Sequence, residues 1–355
     1  MISLRVSPIS IVAATAALLV SCLFGFQAAA RAQTADRMLG MVAPVKAARP
    51  YRIAYAAVQM NEEFYLGIAW GIVDEANRAG AQLVRITNAG GYGRSADQIG
   101  QLEQLRALGV DAVLIVGATF DGYDRVVERL AASGIRVISV ASPISAPRIT
   151  VGVMQDEAAL GAKISGYICA KKPKATVLTL PGPVGTEWNR VRFDGFKARA
   201  AQCGLTLVGN TFKGNISIEE GQQQVLDGLL KNPNVAYVYA VSGALAVGAA
   251  QQIKRSGSTA KVVTGTVNER TIALMNDGVI EMVASEPSVL FGRAALQYAI
   301  RSLNGDPLPN VKSGVLSYPV IFVPNTELTT ANMGNYDLYL ADLPPKGWKP
   351  PIAGR

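Results

Sequence analysis

One pattern governs what this chain can fold into: short apolar runs alternate with longer runs of helical spacing. The short runs are rich in β-branched residues and recur from Arg52 to Val323. Most are almost wholly apolar, which is typical of strands buried on both faces of a sheet. Strands that alternate with helices form parallel sheets flanked by helices. The sequence therefore predicts an α/β protein.

The series is interrupted once, by the segment that carries Pro143 and Pro147. Four strands are predicted before this segment, at 52–58, 82–87, 112–116 and 137–140. Seven extended runs are predicted after it, at 150–153, 176–180, 205–209, 235–240, 262–264, 280–284 and 315–323. Two similar series separated by a proline-containing crossing predict two α/β lobes.

Residues 1–32 have the features of a secretory signal peptide. Arg5 gives a positive start, Ile9 to Phe26 is apolar, and Ala30-Arg31-Ala32 is an A-x-A cleavage pattern. Two alternatives stay open at this point. One is a transmembrane anchor, and the other is a lipoprotein signal ending at Cys22. We expect an exported chain that begins near Gln33.

The 355 residues include no histidine, which excludes several kinds of active site. A Ser-His-Asp triad, a Cys-His pair and an HExxH zinc site all need an imidazole. No loop has the GxxxxGK[ST] or GxGxxG spacing of a phosphate-binding turn. We therefore predict no metal site, no cofactor and no nucleotide.

The net charge of +8 falls to +6 without residues 1–32, which hold two arginines and no acid. The basic residues are scattered, and the one cluster, Lys171-Lys172-Pro173-Lys174, lies where a predicted helix ends. We predict no nucleic-acid partner. Export leaves two cysteines, Cys169 and Cys203. They are either one disulfide or two buried thiols, and the sequence leaves both open.

The candidate binding residues lie in loops just after the predicted strands. Ligands of such sheets bind beyond the carboxyl ends of the strands, which places this ligand in the cleft between the lobes. Tyr65, Tyr92 and Trp188 offer aromatic faces there, and such faces hold alkylammonium groups or pack on sugar rings. Phe64 is assigned to the core. Gly90-Gly91 lets the backbone turn sharply beside a ligand.

The chain resembles the type I periplasmic binding proteins. Two segments carry the likeness, Arg190 to Phe196 and Phe291 to Ala295, together with the crossing between the lobes. The resemblance implies two Rossmann-like lobes with parallel sheets joined by a multi-strand hinge. It also implies a periplasmic protein that is not an enzyme. The implied parts are an N-terminal lobe at 51–146 plus about 286–309, a C-terminal lobe at 147–285 plus about 310–330, and a tail at 331–355.

Within this superfamily the ribose-like sugar binders are one branch that the chain resembles. Gly185-Thr186 followed by Arg190 is similar to their ligand-arginine segment. Three of their polar ligands are absent, because Ser242-Gly243, Thr266 and Ser285-Glu286 occupy those positions. Sugar hydroxyls left without partners would cost binding energy.

The second branch is the TorT family of the trimethylamine N-oxide (TMAO) respiratory system. Its pattern is similar to 88–92 (NAGGY), 151–153 (VGV), 180–183 (LPGP) and 282–285 (MVAS). This resemblance implies a TMAO-like ligand and a membrane histidine-kinase sensor as partner. Tyr92 matches one position of that family's aromatic cage and Tyr65 occupies another where Trp is typical, whereas Gln155 and Thr266 fall at the other two. Trp188 is a candidate replacement.

We therefore expect a solute-binding protein of the TorT type, whose lobes close on a small alkylammonium or polar ligand. The alternative is a binding protein for a sugar-like solute that serves an ABC permease. A cleft enzyme would need paired carboxylates at a defined spacing, and none is evident. For the polar candidates a salt bridge at the rim is the alternative, and Glu286-Pro287 could serve the hinge. The predicted ligand-binding residues are Tyr65, Tyr92, Asp121, Gln155, Trp188, Arg190, Thr266 and Glu286.

Overall fold

The computed structural model describes residues 44–309 and 316–351. The predicted signal peptide, at 1–32, lies outside the described residues. Within the described ranges, none of the helices combines the length and the apolar character that a membrane crossing requires.

The first lobe contains a six-stranded sheet in which all neighbours are parallel. The spatial order is β11-β5-β4-β3-β1-β2. Its strands are β1 (Arg52–Ala57), β2 (Gln82–Asn88), β3 (Ala112–Ile115), β4 (Arg136–Val140), β5 (Val151–Met154) and β11 (Val320–Phe322).

The second lobe repeats this design with the order β12-β10-β9-β8-β6-β7. Only the edge strand β12 is antiparallel to its neighbour. The strands are β6 (Thr176–Leu180), β7 (Thr206–Val208), β8 (Tyr237–Ala240), β9 (Lys261–Gly265), β10 (Ile280–Ala284) and β12 (Glu327–Leu328). The prediction of two α/β lobes with parallel sheets is confirmed.

Helices flank both sheets. The first lobe has α1 (Glu63–Ala79), α2 (Ser95–Leu108), α3 (Asp124–Ala132) and the late helix α9 (Ser288–Asn304), which packs on α1. The second lobe has α4 (Glu157–Lys171), α5 (Glu187–Gln202), α6 (Ile218–Lys231), α7 (Gly243–Arg255) and α8 (Glu269–Asn276). A four-residue helix, α10 (Leu338–Ala341), lies near the C-terminus.

Local sequence explains where these helices begin and end. Gly80 and Gly305 follow α1 and α9 in the left-handed conformation, which an L side chain adopts only at a cost. Asn268 and Thr271 form a reciprocal capping box at the start of α8. Strands β3, β5 and β8 are buried at every position, as the apolar runs predicted.

Three chain crossings join the lobes. The first runs from β5 to α4 through Gln155, the second from β10 to α9 through 285–287, and the third from β11 to β12 through 323–326. The crossings are bonded to the adjoining backbone: Val323 N donates to Met154 O and Ser285 N donates to Thr326 O, both at 2.7 Å. The hinge is therefore a three-segment unit.

The structure places the first crossing later than the sequence analysis did. The proline segment does not leave the first lobe, because β5 returns beside β4 with Ile138 opposite Val151. Strand β11 also lies in the first sheet, beside β5, although residues up to about 330 were expected in the second lobe. The ten residues between β4 and β5, 141–150, suggest the start of a new series, but they join two neighbouring parallel strands of the same sheet.

The segment after β12 contacts both lobes. Leu338 and Leu343 belong to the apolar core of the second lobe. Trp348 packs edge-on against Trp70 of α1, with 5.5 Å between ring centroids. The part of the predicted tail that the structure describes, 331–351, therefore runs along the back of the hinge.

Cys169 and Cys203 form a disulfide. Cys169 lies in the last turn of α4 and Cys203 is the residue after α5, so the bond joins two helices that pack on each other. Of the two possibilities that the sequence left open, the structure contains the bonded one.

Candidate functional site

A small cavity lies between the lobes, at the carboxyl ends of both sheets. Its volume is about 40 Å³, which is room for roughly three water molecules. Its lining comes from both lobes and is Glu62, Phe64, Tyr65, Tyr92, Val116, Ala141, Ser142, Gln155, Glu157, Trp188, Arg192, Ile216, Val241, Ser242, Thr266 and Glu286.

Three rings form one side of the cavity, and we call Tyr65, Tyr92 and Trp188 the aromatic wall. Tyr65 lies in the first turn of α1, and its hydroxyl donates to the Tyr92 hydroxyl at 2.9 Å. The Tyr92 ring lies 6.0 Å from the Trp188 ring, centroid to centroid. Tyr92 belongs to the first lobe and Trp188 to the second, so the wall crosses the cleft.

The loop that carries Tyr92 depends on glycine. Gly90 and Gly91 have φ values of 93° and 140°, where an L side chain would be strained. This sharp turn after β2 brings the Tyr92 ring back toward the cleft. The sequence indicated this role for the glycine pair.

A buried charged cluster of five residues also lines the cavity, beside the aromatic wall. Arg192, on α5, is 1% exposed and is its centre. Its Nε donates to Glu157 Oε2 at 2.7 Å, and its Nη1 and Nη2 donate to the two oxygens of Glu286 at 2.8 and 2.9 Å. Nη1 also donates to the Val241 carbonyl at 2.9 Å.

Two neutral side chains complete the charged cluster. Gln155 Nε2 donates to Glu286 Oε2 at 2.7 Å and to Glu157 Oε1 at 3.1 Å. The Thr266 hydroxyl donates to Glu286 Oε1 at 2.8 Å. Gln155 and Glu286 lie on two different crossings of the hinge, so the cluster ties these crossings together.

Burial and neighbouring charges shift the pKa values of the cluster. Burial raises the pKa of Glu157 to about 7; Arg192 opposes this shift, and the charge of Glu286 adds to it. Burial alone would lower the pKa of Arg192, but the two carboxylates reverse this and hold it well above its usual value. The guanidinium is therefore a permanent charge at the hinge.

A third carboxyl group, Glu62, lines the cavity from the residue before α1. Burial raises its pKa to about 7, the nearby Gln59 amide opposes this shift, and the charge of Glu63 adds to it. The charged residues of the lining are thus three acids and one arginine, which favours a cationic occupant over an anionic one.

Two backbone positions at the cavity are in unusual conformations. Ala141 and Thr266 have φ values of 57° and 61°, in the region that favours glycine. Each follows a central strand, one in each lobe, and each lines the cavity. Strained residues of this kind persist where the surroundings hold them and are common at binding sites.

Six of the eight predicted residues lie together at this cavity: Tyr65, Tyr92, Gln155, Trp188, Thr266 and Glu286. Asp121 and Arg190 do not. They line a separate pocket between residues of both lobes, and Arg190 pairs there with Glu187 and Asp194 at 2.5 and 2.8 Å. The rim salt bridge is the arrangement that the structure has for Arg190.

The sequence analysis missed Arg192 and Glu157. Arg192 is only two residues from Arg190, but two helical steps rotate a side chain by about 200°, so one faces the hinge and the other faces solvent. Phe193, which is 1% exposed, follows Arg192 and marks the buried side of α5. Phe64 was assigned to the core, and it both lines the cavity and packs against Phe291.

Two lobes, a three-segment hinge and a lined cleft define the class of two-lobed solute-binding proteins. Residues 53–307 match the family model described as "Periplasmic binding protein domain", and the chain belongs to that family.

Among curated proteins, the chain is similar to the periplasmic protein TorT of Escherichia coli K12. The two are 26% identical over 278 residues, which cover 77% of this chain and 79% of that protein. It is also 26% identical over 270 residues to the ribose import binding protein of Bacillus subtilis 168, covering 76% of this chain and 87% of that protein.

Solved structures add two relatives. A substrate-binding protein of a sugar ABC transport system from Bordetella parapertussis is 36% identical, with a TM-score of 0.86 over 88% of this chain and 100% of that one. An ABC transporter solute-binding protein from Bradyrhizobium sp. BTAi1 with bound bis-tris is 25% identical, with a TM-score of 0.72 over 87% of this chain and 91% of that one.

Proposed function

We propose that this protein is exported to the periplasm, binds a small cationic or polar solute between its lobes and presents the closed form to a membrane partner. The observation that carries this proposal is the aromatic wall. Tyr92 and Trp188 come from different lobes and lie against each other across the cleft. A solute held by both rings stabilises the closed arrangement over the open one, as a population shift requires.

The chemistry of the lining supports a cationic solute. Three acids and one arginine line the cavity, and Tyr65 and Tyr92 add ring faces that attract cations. The relative from Bradyrhizobium holds bis-tris, which is a tertiary amine with several hydroxyls. A small solute suits the compact cavity.

The protein acts by binding and not by catalysis. The carboxylates of Glu157 and Glu286 are occupied by Arg192, Gln155 and Thr266. A general acid or base must reach the substrate atom that it protonates or deprotonates. Carboxylates held by these hydrogen bonds stabilise the hinge and are not free to act as a general acid or base.

For the partner we propose a membrane histidine-kinase sensor, on the likeness to TorT over 278 residues. The second candidate is an ABC permease that imports a sugar-like solute. The likeness to the Bordetella protein, at 36% identity, and to the ribose import protein favours it. The charged cluster leaves few donors for a sugar, since Arg192 already has four of its five N–H groups engaged within the protein.

Thermal shift and isothermal titration calorimetry test the solute class. The panel is TMAO, betaine, choline, bis-tris and a set of pentoses and hexoses. We expect stabilisation by cationic members of the panel. Stabilisation by sugars alone would overturn the cationic assignment and support the second candidate.

A deletion strain separates signalling from transport. Uptake of the radiolabelled solute and solute-induced transcription are measured with and without the gene for this protein. Loss of induction with normal uptake supports the sensor partner. Loss of uptake contradicts it and supports the permease.

A further inference from the structure

We propose that the solute is a small hydroxylated amine, a cation that bears N–H or O–H donors, and not an N-oxide or a donor-free quaternary ammonium. The inference rests on the proposed function and specifies its ligand. It starts from two polar atoms of the cavity lining, Gln155 Oε1 and Trp188 Nε1. Both are buried, and neither has a hydrogen-bond partner among the described residues.

The orientation of the Gln155 amide is fixed by its neighbours. Its nitrogen lies 2.7 Å from Glu286 Oε2 and 3.1 Å from Glu157 Oε1. Two carboxylate oxygens accept hydrogen bonds and cannot donate them when ionised, so they select the NH₂ group of the amide. The carbonyl oxygen, Oε1, must therefore be the unpartnered atom, in a side chain that is 4% exposed.

An unpartnered carbonyl oxygen requires a donor. A buried acceptor that loses its water partners without a replacement costs free energy, and a solute that supplies an N–H or O–H avoids this cost. TMAO and betaine have no N–H or O–H group. They would leave Gln155 Oε1 without a partner in the closed cleft.

Trp188 contributes a donor more than a ring face. Its indole N–H has no partner in residues 44–309 and 316–351, so it needs an acceptor oxygen on the solute. The guanidinium carbon of Arg192 already lies 4.9 Å from the ring centroid. Because the protein's own cation occupies that contact, Trp188 does not replace a missing ring of a quaternary-ammonium cage.

The tyrosine pair also needs a hydrogen-bond partner on the solute. Tyr65 donates to Tyr92 at 2.9 Å, which leaves one hydroxyl proton of the pair to be donated elsewhere. The cavity thus offers two donors, from Trp188 and the tyrosine pair, and one acceptor, at Gln155. An amine with hydroxyl groups meets all three, and its positive charge suits the acidic lining.

The test compares four probes by titration calorimetry on the mature protein: diethanolamine, choline, TMAO and D-ribose. Diethanolamine is a charged amine with N–H and O–H donors, TMAO has an acceptor but no donor, and D-ribose has donors but no charge. We expect diethanolamine to bind at least tenfold more tightly than TMAO and than D-ribose. TMAO binding as tightly as diethanolamine overturns the donor requirement, and D-ribose binding most tightly overturns the charge.

Two variants test whether the Trp188 N–H contributes to diethanolamine binding. Trp188→Phe keeps a ring beside Arg192 and removes only the N–H, and we expect about tenfold weaker diethanolamine binding with an unchanged melting temperature. Arg190→Ala, at the exposed position two residues further on, should bind as the wild type does. Unchanged affinity in Trp188→Phe overturns the inference. Failure of all four probes to bind the wild type would instead overturn the proposed function, and this inference with it.

Discussion

The aromatic wall and the charged cluster line one cavity and meet where Arg192 lies 4.9 Å from the centroid of the Trp188 ring, but they differ in how completely their polar groups are satisfied. Every oxygen of Glu286 accepts two hydrogen bonds, and Arg192 has partners on all three nitrogens. In the wall, the hydroxyls of the tyrosine pair bond to each other, and Trp188 Nε1 has no partner within the part of the chain that the structure describes.

This difference indicates that the charged cluster and the aromatic wall have different roles. The ion pairs of this cluster are satisfied within the protein, so apart from Gln155 Oε1 the cluster has little left to offer a solute, and its bonds between two crossings hold the hinge in register. The polar groups of the wall still need hydrogen-bond partners, and a bound solute supplies them. Changes in the cluster should therefore lower stability first, and changes in the wall should lower affinity first.

The largest expected effect comes from Arg192→Met. The side chain keeps most of its volume but loses its charge, which leaves Glu157 and Glu286 buried without a counter-charge. Removing one partner of a buried ion pair costs about 3–5 kcal/mol. We expect this loss in the free energy of unfolding, measured with urea.

Arg190→Met is the matched control for that prediction. Arg190 lies on the same helix and also pairs with two acids, but its side chain is 52% exposed. Exposed pairs contribute about 0–1 kcal/mol. Equal losses in the two variants would contradict the division between cluster and surface.

A smaller effect is expected from Gly265→Ala, at the end of β9. A Cβ atom there would lie 2.5 Å from Glu286 Oε1 and 2.9 Å from Arg192 Nη1. Both side chains are buried and bonded, so they cannot move without breaking the cluster. Overpacking of this kind costs about 1–3 kcal/mol, again in the free energy of unfolding.

Gly100→Ala provides the comparison for Gly265→Ala. It lies on an exposed turn of α2, and nothing stands within 4 Å of its added Cβ. Alanine should stabilise this helix by up to about 1 kcal/mol. If Gly265→Ala behaved in the same way, the cluster would not be tightly packed around Glu286.

Much of the fold followed from the sequence because parallel α/β lobes leave a periodic pattern. Buried strands such as β3 and β8 are continuous apolar runs, and their loops collect at the cleft. The six predicted residues that meet at the cavity were found by this rule. The rule needs only the strand ends, which the pattern supplies.

The rule did not predict which side of a helix a residue faces or which side chains pair with each other. Arg190 and Arg192 are equally basic and nearly adjacent, and only the packing of α5 decides which one is buried. Glu157 belongs to the site because α4 begins at the hinge, and Gln155 meets Glu286 across 131 residues of sequence. Such contacts depend on tertiary packing, for which a single sequence carries no local signal.

The wall should respond in affinity and not in stability. Tyr92→Ala removes a ring face and the bond from Tyr65, and we expect binding of the solute to weaken by about 1–2 kcal/mol. Tyr92→Phe keeps the ring and should lose less. Titration calorimetry measures both variants, with urea unfolding as the stability control. An unchanged affinity in Tyr92→Ala would assign Tyr92 to the structure and not to the site.

The last predicted effect is a pH dependence of stability, to which buried carboxyl groups at the cavity and at the hinge contribute. Asp342 accepts a hydrogen bond from the Ser285 hydroxyl on the second crossing. Burial raises the pKa of Glu62, Glu157 and Asp342 to about 7, from ordinary values of 4.5, 4.5 and 3.8. Between these values and pH 7 the folded state keeps protons that the unfolded state releases, so stability falls as the pH rises from about 5 to 8.

The slope is at most about 1.4 kcal/mol per pH unit for each group, and urea unfolding of the solute-free protein at a series of pH values measures it. Glu157→Gln and Asp342→Asn should each flatten the slope. Tyr92→Phe should leave it unchanged, because burial holds the pKa of both wall tyrosines above the ordinary value of 10.0. A slope that survived both carboxyl variants but changed in Tyr92→Phe would reverse the roles assigned to the cluster and the wall.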